Sequence, residues 1–219
     1  MIMAADTALG ACSVAILENG NVRAKALEAM ERGHAEALAP MVETLMRKAG
    51  LSFAQINSLA VTTGPGTFTG QRVGLAFMRG LRIALKKPLV GVTTLEAMAA
   101  QTLHESNLET AAVLHDARRG EVYLAIVSRG TTVVAPCVLP FDEAVGRIAR
   151  CAPAGIALAG TAAAPANEAL RKLGIAAHVV AIPYPDAEWV ARLAAACPEP
   201  DRAPDPLYLR PADAKLPSA

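Results

Sequence analysis

Residues 62–74 read TTGPGTFTGQRVG, four glycines and four threonines placed after the largely apolar run 56–61 and before an apolar, basic stretch. A glycine-rich turn between a strand and a helix marks an α/β protein and is a common seat for phosphate. The spacing excludes the familiar versions. A P-loop needs G-x-x-x-x-G-K-[ST], whereas Gly70 is followed by Gln71 and Arg72, and Gly66 stands one residue too close. Gly64, Gly66 and Gly70 give G-x-G-x-x-x-G, not the dinucleotide G-x-G-x-x-G. Gly66 to Gly70 has the frame of a hydrolase elbow, but Phe68 occupies the nucleophile's place.

The helix that follows carries a second signal. At about 100° per residue, Gly70, Gly74, Phe77, Met78, Leu81 and Leu85 share one side, and Arg72, Arg79, Arg82 and Lys86 lie roughly opposite. Glycines at i, i+4 leave a flat stripe on which another backbone sits closely, and each costs about 1 kcal/mol relative to alanine in a helix. Either internal packing against the protein's own sheet or a subunit contact offsets that cost. Leu75, Ala76 and Ile83 fall on the basic side, so the helix is apolar almost all round and expects burial on more than one face.

The 219 residues suffice for one large or two small domains. With 53% hydrophobic but only 4% aromatic residues, the core must be built from Ala, Leu and Val. A net charge of +1 and a pI near 7.7 give no global field toward nucleic acid or membrane. Cys12, Cys137, Cys151 and Cys197 have no metal spacing and read as small hydrophobes. The start, MIMAADTALG, lacks a basic n-region, and no apolar run approaches the ~20 residues of a membrane span, so the expectation is a cytoplasmic protein without membrane contact.

Along the chain, residues 1–5, 12–17 and 22–28 read as a three-stranded meander with a turn at Glu18-Asn19-Gly20-Asn21. Helical spacing over 34–49 ends at Gly50, and Pro40 predicts an irregular first turn or a later start. A strand over 56–62 precedes the glycine turn, and a helix over about 69–87 is stopped by Pro88. A strand at 89–92 and a capping box, Thr93-Thr94-Leu95-Glu96, open a helix to about residue 104. The second half repeats the texture. It has strands at 111–115, 121–128 and 132–138, a helix after Phe141, a strand at 156–159, and helices at 166–173 and 186–196. The order predicts two related α/β halves, a lobe over 1–106 and a smaller one over 107–200. The proline-rich tail 201–219 reads as extended and weakly ordered.

Asp6-Thr7, at the first strand-turn, is either a nucleotide-binding pair, as in actin-like folds, or a turn cap. His34, His104, His115 and His178 share no ligand spacing, and Leu108 stands where H-E-x-x-H needs its second histidine. No metal site, cofactor or catalytic residue is expected. The Asp116–Glu121 segment is a charged turn, solvated or in contact with a partner or anion.

Four stretches, AADTALGACSVAI, VTTGPGTFTGQRVGLAFMRGL, PLVGVTTLEA and HDARRGEVYLA, resemble the TsaB family in order and spacing over about residues 1–127, and PLYLRPADAK resembles its end. The resemblance implies an ASKHA (actin/Hsp70/hexokinase-like) α/β fold with two RNase H-like lobes of mixed sheet plus helices. It also implies a non-catalytic scaffold that binds and activates a TsaD-type transferase. That transferase forms N6-threonylcarbamoyladenosine at position 37 of tRNAs reading codons that begin with A. The implied partners are the TsaD-type catalytic paralogue, a TsaE-type ATPase, a second copy when isolated, and tRNA indirectly through the complex. The catalytic paralogue carries a V-H-H-M-E-G-H segment whose metal ligands align with Thr94 and Met98 here, so the catalytic role does not transfer.

By the resemblance, the helices 34–49 and 69–85 meet the partner, with Leu38, Met41, Leu45, Gly70, Arg72, Gly74, Phe77, Met78 and Leu81 as interface candidates. On this reading Gly74→Arg or Leu81→Glu abolishes the complex and leaves the fold intact. The rival reading is an enzyme of the same superfamily, a nucleotide-dependent phosphotransferase or a glycoprotease-like peptidase.

Overall fold

The computed structural model describes residues 1–151 and 155–210. Its first half runs β1 (Ile2–Asp6), β2 (Ala11–Glu18), β3 (Asn21–Ala29), α1 (His34–Ala49), β4 (Ser58–Thr62), α2 (Phe68–Leu85), β5 (Leu89–Val92) and α3 (Thr94–Ser106). The second half runs β6 (Thr110–Asp116), β7 (Glu121–Ser128), β8 (Thr131–Pro140), α4 (Phe141–Cys151), β9 (Ile156–Ala159), α5 (Ala163–Lys172), β10 (Ala177–Val179) and α6 (Ala187–Ala195). The halves repeat one another element for element. Their five-stranded sheets have orders β3-β2-β1-β4-β5 and β8-β7-β6-β9-β10. In each, the first three strands pair antiparallel and the last two join in parallel. This is the ASKHA arrangement expected from the resemblance.

The first sheet alternates as a half-buried strand must. Met3, Ala5, Val14 and Ile16 face α1 and α2, where Leu38, Val42, Leu75 and Met78 complete one core. Ala4, Ala15 and Ala60 face the other way, against Ala187, Val190 and Ala191 of α6. In the second sheet, Leu114, Leu124, Ile126 and Leu158 meet α4 and α5, while Ala111, Val113, Ala125 and Ala157 meet Leu95 and Met98 of α3. The closing helix of each half therefore covers the sheet of the other half, and α3 and α6 touch in the middle. The alanine-rich inner faces let these two helices sit close to their sheets, which is how a core with few aromatics packs without voids.

Five local differences from expectation have simple causes. Helix α1 is regular from His34 with Pro40 inside it. The proline and Glu36, whose carbonyl loses its partner, are both exposed, so water satisfies the gap. Strand β4 starts at Ser58, because a 3-10 turn over Phe53–Gln55, closed by a Ser52–Gln55 capping box, takes the residues before it. Helix α2 ends at Leu85, with Lys86 in the left-handed region as its cap. Helix α5 starts at Ala163, three residues early. The short edge strand β10, missed altogether, is held by parallel pairing to β9 rather than by any apolar pattern. The residues 203–210 are extended but firmly held, as described below; residues 211–215 of the family-like PLYLRPADAK stretch lie outside the described residues.

Candidate functional site

The joint between β4 and α2 is built against the turn that follows β1. Thr67 caps α2, its side chain accepting from Gly70 N at 3.0 Å, and its own N–H donates to Ala8 O at 2.8 Å. Thr7 Oγ1 donates to Gly70 O at 2.7 Å. A Cβ on Gly66 would stand 2.2 Å from Ala8 O, one on Gly70 2.2 Å from Thr7 O, and one on Gly74 2.7 Å from Thr7 Oγ1. The glycines of the opening stretch are therefore required by close approach. The loop 64–70 lies on the turn 6–8.

Asp6 is sealed beneath this contact, fully buried like Thr7. Its Oδ1 accepts from Thr62 Oγ1 at 2.5 Å and from Ala8 N at 3.2 Å, whereas Oδ2 has no partner. Burial pushes its carboxyl up to about 7, although both hydrogen bonds oppose the shift. The same loss of water pushes the Cys12 thiol up to about 12, with Asp6 and Glu28 adding to it. Asp6 accepts from Ala8 N and Thr7 donates to Gly70 O, contacts of the kind a turn cap makes, and Thr62, which periodicity and spacing did not single out, holds the Asp6 carboxyl.

The interface candidates separate into two groups. Leu38, Leu45, Gly70, Gly74 and Met78 are buried inside the chain. Met41, Phe77 and Leu81 lie half-exposed at the outer rim of the first core, and Arg72 is exposed, its guanidinium 4.8 Å from the Phe68 ring centroid. Around them Ala76, Gly80 and Ile83 face solvent, Ile83 with 73% of its surface accessible. Internal packing thus accounts for the Gly70–Gly74 stripe, and the accessible surface of α1 and α2 mixes small and apolar residues such as Ala39, Ala76, Gly80 and Ile83 with charges of both signs, Glu36, Glu43, Arg47 and Arg72. The expectation that Gly74→Arg leaves the fold intact is corrected: any side chain there runs into Thr7.

Between the lobes lies a cleft of about 880 Å³, whose walls include Gln71, His115, Asp116, Arg118, Tyr184 and Tyr208. Asp6 and Thr7 are not on its wall. Burial lowers His115 to about 4, partly countered by Asp116 and a backbone bond to Pro183, which leaves the ring neutral at pH 7. Asp116 closes β6 as Asp6 closes β1, each carboxylate accepting from the N–H two residues on, Arg118 N at 2.7 Å and Ala8 N at 3.2 Å. The repeat extends to the loop after β9, where a Cβ on Gly160 would stand 2.1 Å from Leu114 O. The first half of the charged turn, Asp116 to Arg118, is thus part of one wall of the cleft. Of the remaining histidines, His34 binds Leu9 O at 2.9 Å and His104 stacks on Trp189 at 5.0 Å. Among the described residues no three His, Cys, Asp or Glu side chains come together as metal ligands, and no helix is long and apolar enough to cross a membrane.

The comparisons with known proteins agree with this architecture. A family model described as TsaD, tRNA N6-adenosine threonylcarbamoyltransferase, matches residues 27–199. The tRNA threonylcarbamoyladenosine biosynthesis protein TsaB of Escherichia coli K12 is 40% identical over 128 residues, 58% of this chain and 55% of that protein. The chain therefore spans about half the length of the curated relatives it matches. Two solved structures from Pseudomonas aeruginosa match more fully. One is an uncharacterized protein with similarity to peptidase YeaZ, 32% identical with a TM-score of 0.79, and the match covers 95% of this chain and 99% of that one. The other, YeaZ itself, is 30% identical over the same shares with a TM-score of 0.75. A family match over most of the chain, near-complete overlap with these structures and the identity to named TsaB proteins together place the chain in the TsaB (YeaZ) family.

Proposed function

We propose that this chain is the non-catalytic subunit of a tRNA-modifying pair, binding and activating a TsaD-type transferase that makes N6-threonylcarbamoyladenosine at position 37 of tRNAs reading codons that begin with A. The observation that carries the proposal is the outer face of α1 and α2, where Met41, Phe77 and Leu81 stand half-exposed on the rim of the first core beside small residues and Arg72. Partly exposed apolar side chains set among small residues and fringed by charge have the composition of an interface centre and rim. The names of the relatives, which concern threonylcarbamoyladenosine biosynthesis and its transferase, suggest the chemistry of the partner. In this reading the lobe over 1–106 presents the partner face, the lobe over 107–200 supports it, and the tail over 201–219 follows. A TsaE-type ATPase joins the pair, the isolated chain self-associates through the same face, and tRNA is reached through the partner.

The packing of the loop 64–70 on the Asp6–Ala8 turn, with Asp6 and Thr7 off the cleft wall, supports a binding role over the phosphotransferase alternative. The test is reconstitution of the modification with the purified TsaD-type transferase, the adenylate-forming enzyme and the ATPase. Nucleosides of the tRNA are read by mass spectrometry with and without this chain. Formation of the modified nucleoside only when the wild-type chain is present, and its loss with Leu81→Glu, is the expected result. Equal yield without the chain overturns the proposal.

A further inference from the structure

The segment after α6 runs back across the molecule, and each of its contacts falls on one side or the other of the interlobe cleft. On the first lobe, Pro204 lies over Gly91 of β5, where an added Cβ would stand 2.5 Å from the proline Cβ. Arg79 of α2 donates to Pro204 O at 2.5 Å and pairs with Asp205 at 3.0 Å. Leu207 N donates to Thr63 O at 2.7 Å, and the Tyr208 ring packs on Phe68 at 5.3 Å. Three residues later the attachment has changed lobe. Arg210 donates to Ala117 O at 2.6 Å and Arg118 O at 3.3 Å, and it pairs with Glu121. Tyr208, Leu209 and Arg210 themselves form part of the cleft wall.

We infer that residues 204–210 are an intramolecular strap that ties the two lobes together across the cleft and holds it at a fixed opening. Each exposed contact is weak alone; an exposed ion pair contributes about 0–1 kcal/mol. Their strength comes from sequence. Pro198, Pro200, Pro204 and Pro206 stiffen the approach, so little chain entropy is lost on docking. Each anchor then holds the next at high effective concentration. Among the described residues Arg210 is the charged bolt on the second lobe, and its planar fork suits the two carbonyls and the carboxylate it meets. Loss of either end frees the strap, and with it the cleft walls at 65–68 and 115–118.

The experiment is hydrogen–deuterium exchange by mass spectrometry on the full chain, comparing wild type with Arg210→Ala, which cuts the anchor on the second lobe, and Gly91→Ala, which lifts Pro204 from the first. The expected result for both variants is exchange at least tenfold faster in 204–210 and in both cleft walls, with unchanged exchange in β1 and β6. Arg210→Lys, which keeps the charge and loses the fork, gives an intermediate rate. Faster exchange of the strap with unaltered cleft walls overturns the inference, as does a strap whose exchange neither variant changes. If Arg210→Ala does not fold, Arg79→Ala and Gly91→Ala test the same prediction from the opposite lobe.

Discussion

Thr62 Oγ1 donates a 2.5 Å hydrogen bond to Asp6 Oδ1 in a place that water does not reach, and the second carboxylate oxygen has no partner. The pair joins the ends of the two parallel central strands β1 and β4 and keeps the turn 6–8 in the shape on which the glycine loop rests. A carboxyl in that position sets how the fold responds to pH.

Asp6 has a folded-state value of about 7 against an ordinary 3.8, so the folded chain holds this proton more tightly than the unfolded chain. Stability from this group is present at low pH and is lost as pH rises through about 4 to 7, by roughly 2–4 kcal/mol. Asp6→Asn copies the neutral acid, keeps an oxygen for Thr62 and Ala8, and removes the slope. Denaturant titrations at pH 5 and pH 8 should show the variant gaining on wild type at pH 8. His115 acts in the opposite sense, its value lowered to about 4, so its share is lost as pH falls from 6.5 toward 4. His115→Gln flattens that acid limb alone.

The glycines of α2 divide by what their missing Cβ would meet. Gly70→Ala places a methyl group 2.2 Å from Thr7 O and should cost about 1–3 kcal/mol or more, whereas Gly80, with nothing within 4 Å, gains about 0.5–1 kcal/mol as alanine. Thermal unfolding should order the three proteins as Gly80→Ala above wild type above Gly70→Ala. Equal melting of wild type and Gly70→Ala would show that the turn 6–8 yields without cost.

Substitutions across the α1–α2 face should separate centre from rim. Phe77→Asp and Leu81→Glu, at half-buried positions, should weaken the complex with the transferase by a hundredfold or more, and Arg72→Ala by a few-fold. Biolayer interferometry measures the affinities, with circular dichroism confirming that each variant keeps its fold. Nanomolar binding by Leu81→Glu would move the interface elsewhere.

With the turn at 6–8 covered by the loop 64–70, the isolated chain should bind Mg-ATP no tighter than about 1 mM in calorimetry. Stoichiometric micromolar binding would mean that the loop lifts and would restore the phosphotransferase reading.

Much of this fold was legible because local signals and burial agree. The Thr93 N-cap, without the reciprocal Glu96 bond of a full capping box, the Gly50 cap and the exposed turn at Asn19-Gly20 all stand where the residues place them. The repeat of two α/β halves was legible from element order. Which sheet each closing helix covers was not, because α3 and α6 carry the same small apolar residues and either sheet would accept them. The glycine stretch excluded the phosphate-loop and elbow readings by spacing, but the direction of its stripe needed the fold. Periodicity places Gly74 on a face without saying whether that face meets Thr7 or another molecule. Composition likewise gave residues 203–210 no reason to stay in place, since Arg79 and Arg210 find their partners more than 80 positions away.

The exchange of α3 and α6 between the lobes has a consequence for the order in which the chain emerges during synthesis. When the first half has left the ribosome, one side of its sheet, lined by Ala4, Ala15 and Ala60, has no cover until α6 arrives near the end of the chain. The nascent first half therefore presents an apolar sheet face while the residues between α3 (Thr94–Ser106) and α6 (Ala187–Ala195) are made. Each lobe closes one face of its sheet with its own helices, and the other face of the first sheet waits for α6, its keystone.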